Sequence, residues 1–184
     1  MIFSETTLAG SFVIELEPVR DDRGFFARSW CTKEFREKGL APDVRQANIS
    51  FNKQAGTLRG MHYQAPPFAE TKVVSCTKGA IFDVVVDLRR NSPTFLQWFG
   101  VTLTSSNRKA LYVPKSFAHG FLTLEDETEV SYLMSECYSQ PHARGVRWDD
   151  PLFKIDWPRD PIVLSARDRQ YRDAVVQDFA ELAE

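Results

Sequence analysis

The stretch Ile81-Phe82-Asp83-Val84-Val85-Val86-Asp87-Leu88 carries the alternation on which the fold reading turns. Successive side chains of a strand point to opposite faces, so Phe82, Val84, Val86 and Leu88 share one face and Asp83, Val85 and Asp87 the other. Two acids on so apolar a strand imply a polar barrel interior.

On either side of this strand, period-two or compact apolar runs rich in Val, Ile, Phe and Tyr recur at 12–16, 24–30, 44–51, 56–64, 72–76, 97–103, 110–113, 120–124 and 129–137, and the strand itself extends over 80–88. Short strands at this density, separated by Gly, Pro, Asn and Asp, indicate an all-β barrel or sandwich. Helix signals are few. A short candidate at 32–38 ends at Gly39, and 167–184, with Ala174, Val175, Phe179 and Leu182, reads as a helix laid on the barrel. There is no internal repeat or linker; the turns at Pro66-Pro67 and 158–161 are local, so residues 1–184 are expected to form one domain.

Lys and Arg total 23 against 25 Asp and Glu, a formal charge of −2. That balance implies neither a nucleic-acid-binding field nor a polybasic membrane patch, so an anionic ligand must be held by a local basic cluster. The three cysteines, Cys31, Cys76 and Cys137, are scattered without chelating spacing and suit a reducing cytoplasm. No run of about 18 apolar residues is present to span a membrane, and the first residues lack a secretory pattern, so a soluble, unexported protein is expected.

The three histidines can be weighed singly. His142, in Ser139-Gln140-Pro141-His142-Ala143, reads as a solvated loop residue. His62 follows Gly60 on a strand, where alternation puts Gly60, His62 and Gln64 on one face; a lone histidine there is more often structural. His119 opens a strand after the Pro114-Lys115-Ser116 turn and could equally cap it. Metal-binding barrels of the cupin type use an HxH pair with a Glu and a further His, but here the pair reads His62-Tyr63-Gln64, so that ligand set cannot be built and no metal is expected.

The motifs together resemble the dTDP-4-dehydrorhamnose 3,5-epimerase family, a metal-free cupin group acting on 4-keto-6-deoxy sugar nucleotides. The resemblance runs through Asp22-Arg23-Gly24-Phe25-Phe26, Gln46-Ala47-Asn48-Ile49-Ser50, Leu58-Arg59-Gly60-Met61-His62-Tyr63-Gln64, Lys72, Asp83-Val84-Val85-Val86-Asp87, Ala118-His119-Gly120-Phe121, Tyr132, Tyr138, Asp149-Asp150-Pro151, Trp157-Pro158 and Leu164-Ser165-Ala166-Arg167-Asp168. It implies a mainly β, cupin-type antiparallel barrel, or jelly roll, with a few short helices. It also implies a cofactor-independent isomerase that inverts C3, C5 or both of a nucleotide-linked 4-keto-6-deoxyhexose.

Removing a proton beside a ketone requires a positioned base and a group to hold the charge that moves onto the carbonyl oxygen. Imidazole, with an ordinary pKa of about 6.5, suits the base at neutral pH. The resemblance makes His62 that base, Asp168 the carboxylate on its other ring nitrogen, Lys72 the donor to the enolate oxygen and Tyr132 the acid on the opposite sugar face. Each has a plainer role. Ser165-Ala166-Arg167-Asp168 is also a helix-capping pattern, Lys72 could be a solvated strand lysine, and Tyr132 a lining tyrosine. Asp83 is either a partner of this cluster or a rim acid.

For the nucleotide sugar, Arg59 and His119 resemble the pyrophosphate and sugar contacts, Tyr138 the aromatic that stacks on the base, and Gln46 and Asn48 polar contacts around it. Arg23 resembles a residue reaching the nucleotide from a neighbouring subunit, since the family forms homodimers with exchanged N-terminal strands; the apolar run at 11–15 would suit a strand needing a partner sheet. Arg167 stands where a lysine is usual. Arg28 stands where the family has a glutamate able to accept the thymine N3 proton, and His142-Ala143-Arg144-Gly145 lacks a second glutamate. Donors replacing acceptors suit a base whose N3 accepts, which opens CDP or another nucleotide beside dTDP. A 3,4-ketoisomerase, a non-catalytic sugar-nucleotide-binding cupin and a metal-dependent cupin oxygenase are the alternatives in other classes.

Overall fold

The computed structural model describes residues 1–41 and 43–182. In chain order the elements are β1 (Ile2–Glu5), β2 (Phe12–Glu15), β3 (Val19–Asp21), β4 (Gly24–Phe26), α1 (Thr32–Glu37), β5 (Gln46–Asn52), β6 (Thr57–Gln64), β7 (Lys72–Lys78), β8 (Ala80–Asp87), β9 (Trp98–Thr104), β10 (Ala110–Val113), β11 (Phe117–Thr123), β12 (Thr128–Met134), β13 (Ala143–Gly145), β14 (Val163–Leu164) and α2 (Ala166–Arg169). One sheet has the order β1-β2-β10-β7-β12-β5, and the other β13-β6-β11-β8-β9 with β14 also on β6. All pairs are antiparallel except β14 on β6, and β3 and β4 form a separate hairpin. The fold is mainly β, as the strand pattern indicates, and of the cupin barrel type that the resemblance implies.

β8 shows how the alternation is used. Val84, Val86 and Leu88 pack outward into a cluster with Met61, Tyr63, Phe153, Phe179 and Leu182, while Ile81 and Val85 join the inner cluster between the sheets with Val74, Leu111, Phe121 and Val130. The inner face is therefore mainly apolar around this strand, and the two acids are accommodated one by one. Asp87 accepts from Arg89, Ser92 and Thr94. Burial works against its charge, yet these donors hold the Asp87 carboxyl below its ordinary range. Asp83 is equally buried and meets His119. The expected polar interior is thus reduced to these two polar clusters in a mainly apolar interior.

The tail departs from expectation. Instead of a helix over 167–184, α2 is a single turn, residues 170–175 are irregular, and a 3-10 turn forms at Val176–Phe179; Ala183 and Glu184 lie outside the described residues. Asp150 takes the Ala174 N–H at 2.7 Å and Asp178 takes that of Val175 at 2.9 Å, which fixes the non-helical path. An isolated helix of this length is marginal in water, whereas seating Phe179 and Leu182 in the outer cluster contributes about 3–6 kcal/mol. Burial overrides local periodicity here.

At the other end, β2 is hydrogen-bonded to β10 of its own chain, so within one chain the run at 11–15 has a sheet to pair with. Phe35 of α1 closes the outer face over Ile14 and Tyr112. The β3–β4 hairpin stands free of both sheets, with Val19 and Phe26 more than two-thirds exposed.

Candidate active site

Strand β6 is where the site is made, through two irregularities. Its pairing with β11 matches His62 to His119 and Arg59 to Phe121, three residues on β6 against two on β11. Such a bulge re-aims the flanking side chains, so Arg59 and His62, which alternation would put on opposite faces, both line one cavity. The close approach requires glycine on both strands. Gly60 has φ 141°, and a Cβ on Gly120 would lie 2.6 Å from Met61 Sδ and 2.8 Å from Arg59 O. The second irregularity is on the outer edge, where β13 pairs with His62 to Gln64 and β14 with Thr57 and Leu58. α2 follows β14 directly and delivers Asp168 beside the stretch between them.

Asp168 Oδ1 lies 2.6 Å from His62 Nε2, and Oδ2 accepts the Gly60 N–H at 3.5 Å. Ser165 caps α2 by accepting the Asp168 N–H at 3.1 Å, so the sequence's capping pattern is real while the carboxylate itself turns to His62. Burial works against the Asp168 charge, but the hydrogen bond from His62 and the His62 charge, helped by Ser165 and Gly60, hold the carboxyl below its ordinary range. An ionised carboxylate only accepts, so Nε2 is the donor in this contact, and in the neutral form of the ring the lone pair falls on Nδ1. The His62 side chain is 38% exposed and opens into a cavity of about 570 Å³.

Tyr132, on β12 in the opposite sheet, lines the same cavity. Burial and, secondarily, the Asp83 charge push its phenol far above the ordinary range, so it remains a proton donor at any neutral pH. His119 is buried with its ring edge-on to Tyr132 at 6.0 Å and its Nε2 2.7 Å from Asp83 Oδ1. Asp83 Oδ2 is buried with no hydrogen-bond partner among the described residues. Lys72 is buried rather than solvated: its ammonium is 3.2 Å from Glu70 and donates to His62 O at 3.4 Å.

Asn48 and Arg167 also line the cavity. Arg59 donates to Asn52 Oδ1 at 2.7 Å, Asn48 and Gln46 turn their amides to Met134 Sδ at 3.2 and 3.9 Å, and Gln46 Oε1 accepts the Tyr138 N–H at 3.0 Å. Tyr138 is 56% exposed, which leaves its ring free to stack. Arg167 donates to Tyr171 Oη at 3.0 Å, and the Tyr171 ring stands edge-on to His62.

Arg23 and Arg28 are not brought there within one chain. Arg23, at the tip of the β3–β4 hairpin, folds back on Asp21, and Arg28 pairs with Glu34 at 2.8 Å. Arg144 bonds the Pro141 carbonyl, and His142 is half-buried against Phe68 and Ser139 rather than fully solvated.

Sequence reasoning left Asp83 undecided and missed Glu70, Asn52, Met134 and Tyr171. Asp83 was visible as an acid on an apolar strand; Glu70, in the irregular stretch before Lys72, carried no local signal. Among the described residues no group of three or more His, Cys, Asp and Glu side chains converges as a metal ion would need. Among the described residues no helix is long and apolar enough to cross a membrane.

Residues 5–174 match the dTDP-4-dehydrorhamnose 3,5-epimerase family. The enzyme of that name from Sinorhizobium fredii is 42% identical over 169 residues, covering 91% of this chain and 87% of its own. The crystal structure of the Bacillus anthracis dTDP-4-dehydrorhamnose 3,5-epimerase, with TDP and PPi bound, superposes with a TM-score of 0.88 at 43% identity over 93% of this chain and 98% of that one. The Legionella pneumophila dTDP-6-deoxy-D-glucose-3,5-epimerase in complex with dTDP-4-keto-L-rhamnose gives 0.86 at 36% identity over 92% and 90%. Family match, sequence identity and superposition agree across nearly the whole chain: it belongs to the dTDP-4-dehydrorhamnose 3,5-epimerase family and is an isomerase.

Proposed function

We propose that the protein converts a dTDP-linked 4-keto-6-deoxyglucose to dTDP-4-dehydrorhamnose by inverting C3 and C5 through enolates. His62 Nδ1 takes the proton, Asp168 holds the resulting imidazolium, Lys72 donates to the enolate oxygen and Tyr132 reprotonates the opposite face. The observation that carries this is the placement of base and acid on facing sheets: a carboxylate-backed imidazole on β6 and a phenol held protonated on β12, lining one cavity with a buried ammonium. Arg59 and His119 bind the pyrophosphate and sugar, while Gln46, Asn48, Tyr138 and Arg167 surround the nucleotide. The relatives bound to TDP and to a dTDP sugar support thymine as the base, and Arg28's pairing with Glu34 removes it as a free donor to a cytosine within the chain.

Incubation with dTDP-4-keto-6-deoxyglucose in deuterated water, read by NMR, tests the reading. Deuterium should enter at C3 and C5 with inversion; His62→Ala should abolish entry, and Tyr132→Phe should keep entry but lose inversion. Absence of exchange at both carbons in the parent protein would refute it. A thermal-shift panel of dTDP, UDP, CDP and GDP tests the base, with preference for CDP as the contrary result.

A second copy of the chain is the partner we propose, with the whole chain acting as one unit. Ile49 and Phe51 on edge strand β5, together with Val19 and Phe26 on the free hairpin, form exposed apolar surface that a homodimer would cover. Arg23 sits at the tip of the β3–β4 hairpin, the part of the N-terminal strands that stands free of both sheets, and exchange of these strands between two copies would bring it to a neighbour's nucleotide. Three unpaired cysteines, one exposed, support a reducing cytoplasm as the compartment.

A further inference from the structure

Glu70 is a buried carboxylate without a part in the proton transfer just described. One of its oxygens lies 3.2 Å from Lys72 Nζ, and the other accepts from Gln64 Nε2 at 3.0 Å. The two N–H groups of Gln64 Nε2 are shared between that carboxylate, Phe68 O at 2.9 Å and Cys137 O at 3.2 Å, and its Oε1 accepts the Ser139 N–H at 2.6 Å. A continuous chain of polar contacts therefore runs from the segment carrying Tyr138, through Gln64 and Glu70, to Lys72 and the His62 carbonyl. Gln64 occupies the position at which a metal-binding barrel would need a second histidine; here it ties two loops to the catalytic strand.

A lysine ammonium has three donors and no acceptor. Two of those of Lys72 are directed by Glu70 and by His62 O, which fixes the direction of the third. A buried ammonium also needs a counter-charge, because removing it from water is otherwise prohibitive. The charged and titratable groups facing this region are His62 and Arg59 on β6, His119 on β11, Tyr132 on β12 and Arg167 and Asp168 on α2, with Asp83 behind His119. Asp168 is engaged by His62 and Asp83 by His119, and Glu70 is the carboxylate bonded to Lys72.

Resting on the reading of Lys72 as the enolate's donor, we infer that Glu70 is a positioning residue for the epimerisation. Its carboxylate holds Lys72 as a buried ammonium and aims the remaining N–H into the cavity, while Gln64 locks that carboxylate to the Tyr138 segment.

The test compares Glu70→Gln, Lys72→Met and the double variant, with kcat, KM and dTDP affinity measured on the full chain. Glu70→Gln keeps a similar shape and removes the charge. It should lower kcat by about tenfold to a hundredfold, the scale of losing an electrostatic contact in an active site. The dTDP affinity should stay within about twofold, since no nucleotide contact is removed. The double variant should be no slower than Lys72→Met alone, because Glu70 acts through Lys72. An unchanged kcat in Glu70→Gln, or losses that add in the double variant, overturns the inference. Equal losses in kcat and dTDP affinity overturn it too, as the mark of a structural role. If Glu70→Gln does not fold, Glu70→Asp carries the test: kcat falls while dTDP affinity holds, and an unchanged kcat is the refutation. Full activity in Lys72→Met would instead sink the role given to Lys72, and the inference with it.

Discussion

Replacing Asp168 by Asn removes one charge and almost no volume, so its cost can be worked from the dyad alone. Asp168 Oδ1 and His62 Nε2 are 2.6 Å apart, which puts the centres of carboxylate and imidazolium charge about 4 Å apart. At an effective dielectric of about 20 the attraction is about 4 kcal/mol, or on the order of a thousandfold in rate, felt only when His62 has taken the proton. His62 is 38% open to the cavity, and that exposure discounts the figure to about a hundredfold to a thousandfold. A second loss compounds it: an Asn that presents its amide N–H to Nε2 moves the imidazole proton to Nδ1, the nitrogen the base needs free. The assay is deuterium entry at C3 and C5 beside dTDP binding by calorimetry. Asp168→Asn should fall by at least a hundredfold in exchange and bind dTDP within about threefold of the parent. An exchange rate within tenfold of the parent refutes the dyad as the source of basicity.

Other consequences are more briefly drawn. Gly120→Ala places a Cβ against Met61 Sδ and the Arg59 carbonyl, so it should destabilise by about 1–3 kcal/mol in urea unfolding and misplace His62, with exchange falling alongside; a variant as stable as the parent would show the close approach to be slack. Tyr132, Tyr63 and Tyr112 all have phenols raised by burial, Tyr63 to about 12. The unfolded chain then loses protons above about pH 10 that the folded chain keeps, so stability should fall as pH rises beyond that value. Denaturant midpoints that stay flat from pH 9 to 11 would contradict it. Phe51→Asp should shift the protein towards monomer by sedimentation; a dimer that persists undiminished moves the interface elsewhere.

How much of this was written in the sequence divides along physical lines. The barrel strands were legible because alternation is a local property: β10 and the body of β6, β8 and β9 lie where their apolar runs fall. β1, β3, β13 and β14 were not, since strands of two to four residues depend on the neighbour they bond rather than on their own pattern. The tail failed for the related reason that Asp150, distant in sequence, takes the Ala174 N–H and redirects the chain. Among site residues, His62 with Asp168 could be paired only by resemblance, because 106 positions separate them.

The deeper limit was the bulge. Alternation places Arg59 and His62 on opposite faces, and an exact reading of it would have split the site. What the sequence did hold was the means of breaking the rule: Gly60 in one motif and Gly120 in the other, each beside a histidine or an arginine of the site. A glycine on a buried strand weakens it unless a close approach requires it, and in the structure these two glycines meet where the register of β6 and β11 shifts. The same bulged strand has its outer edge divided between β13 and β14, and α2 brings its carboxylate to that division. The residues of the motif are therefore spaced as they are for one mechanical reason: a regular β6 would carry His62, but it could not also bring Arg59 into the cavity beside it.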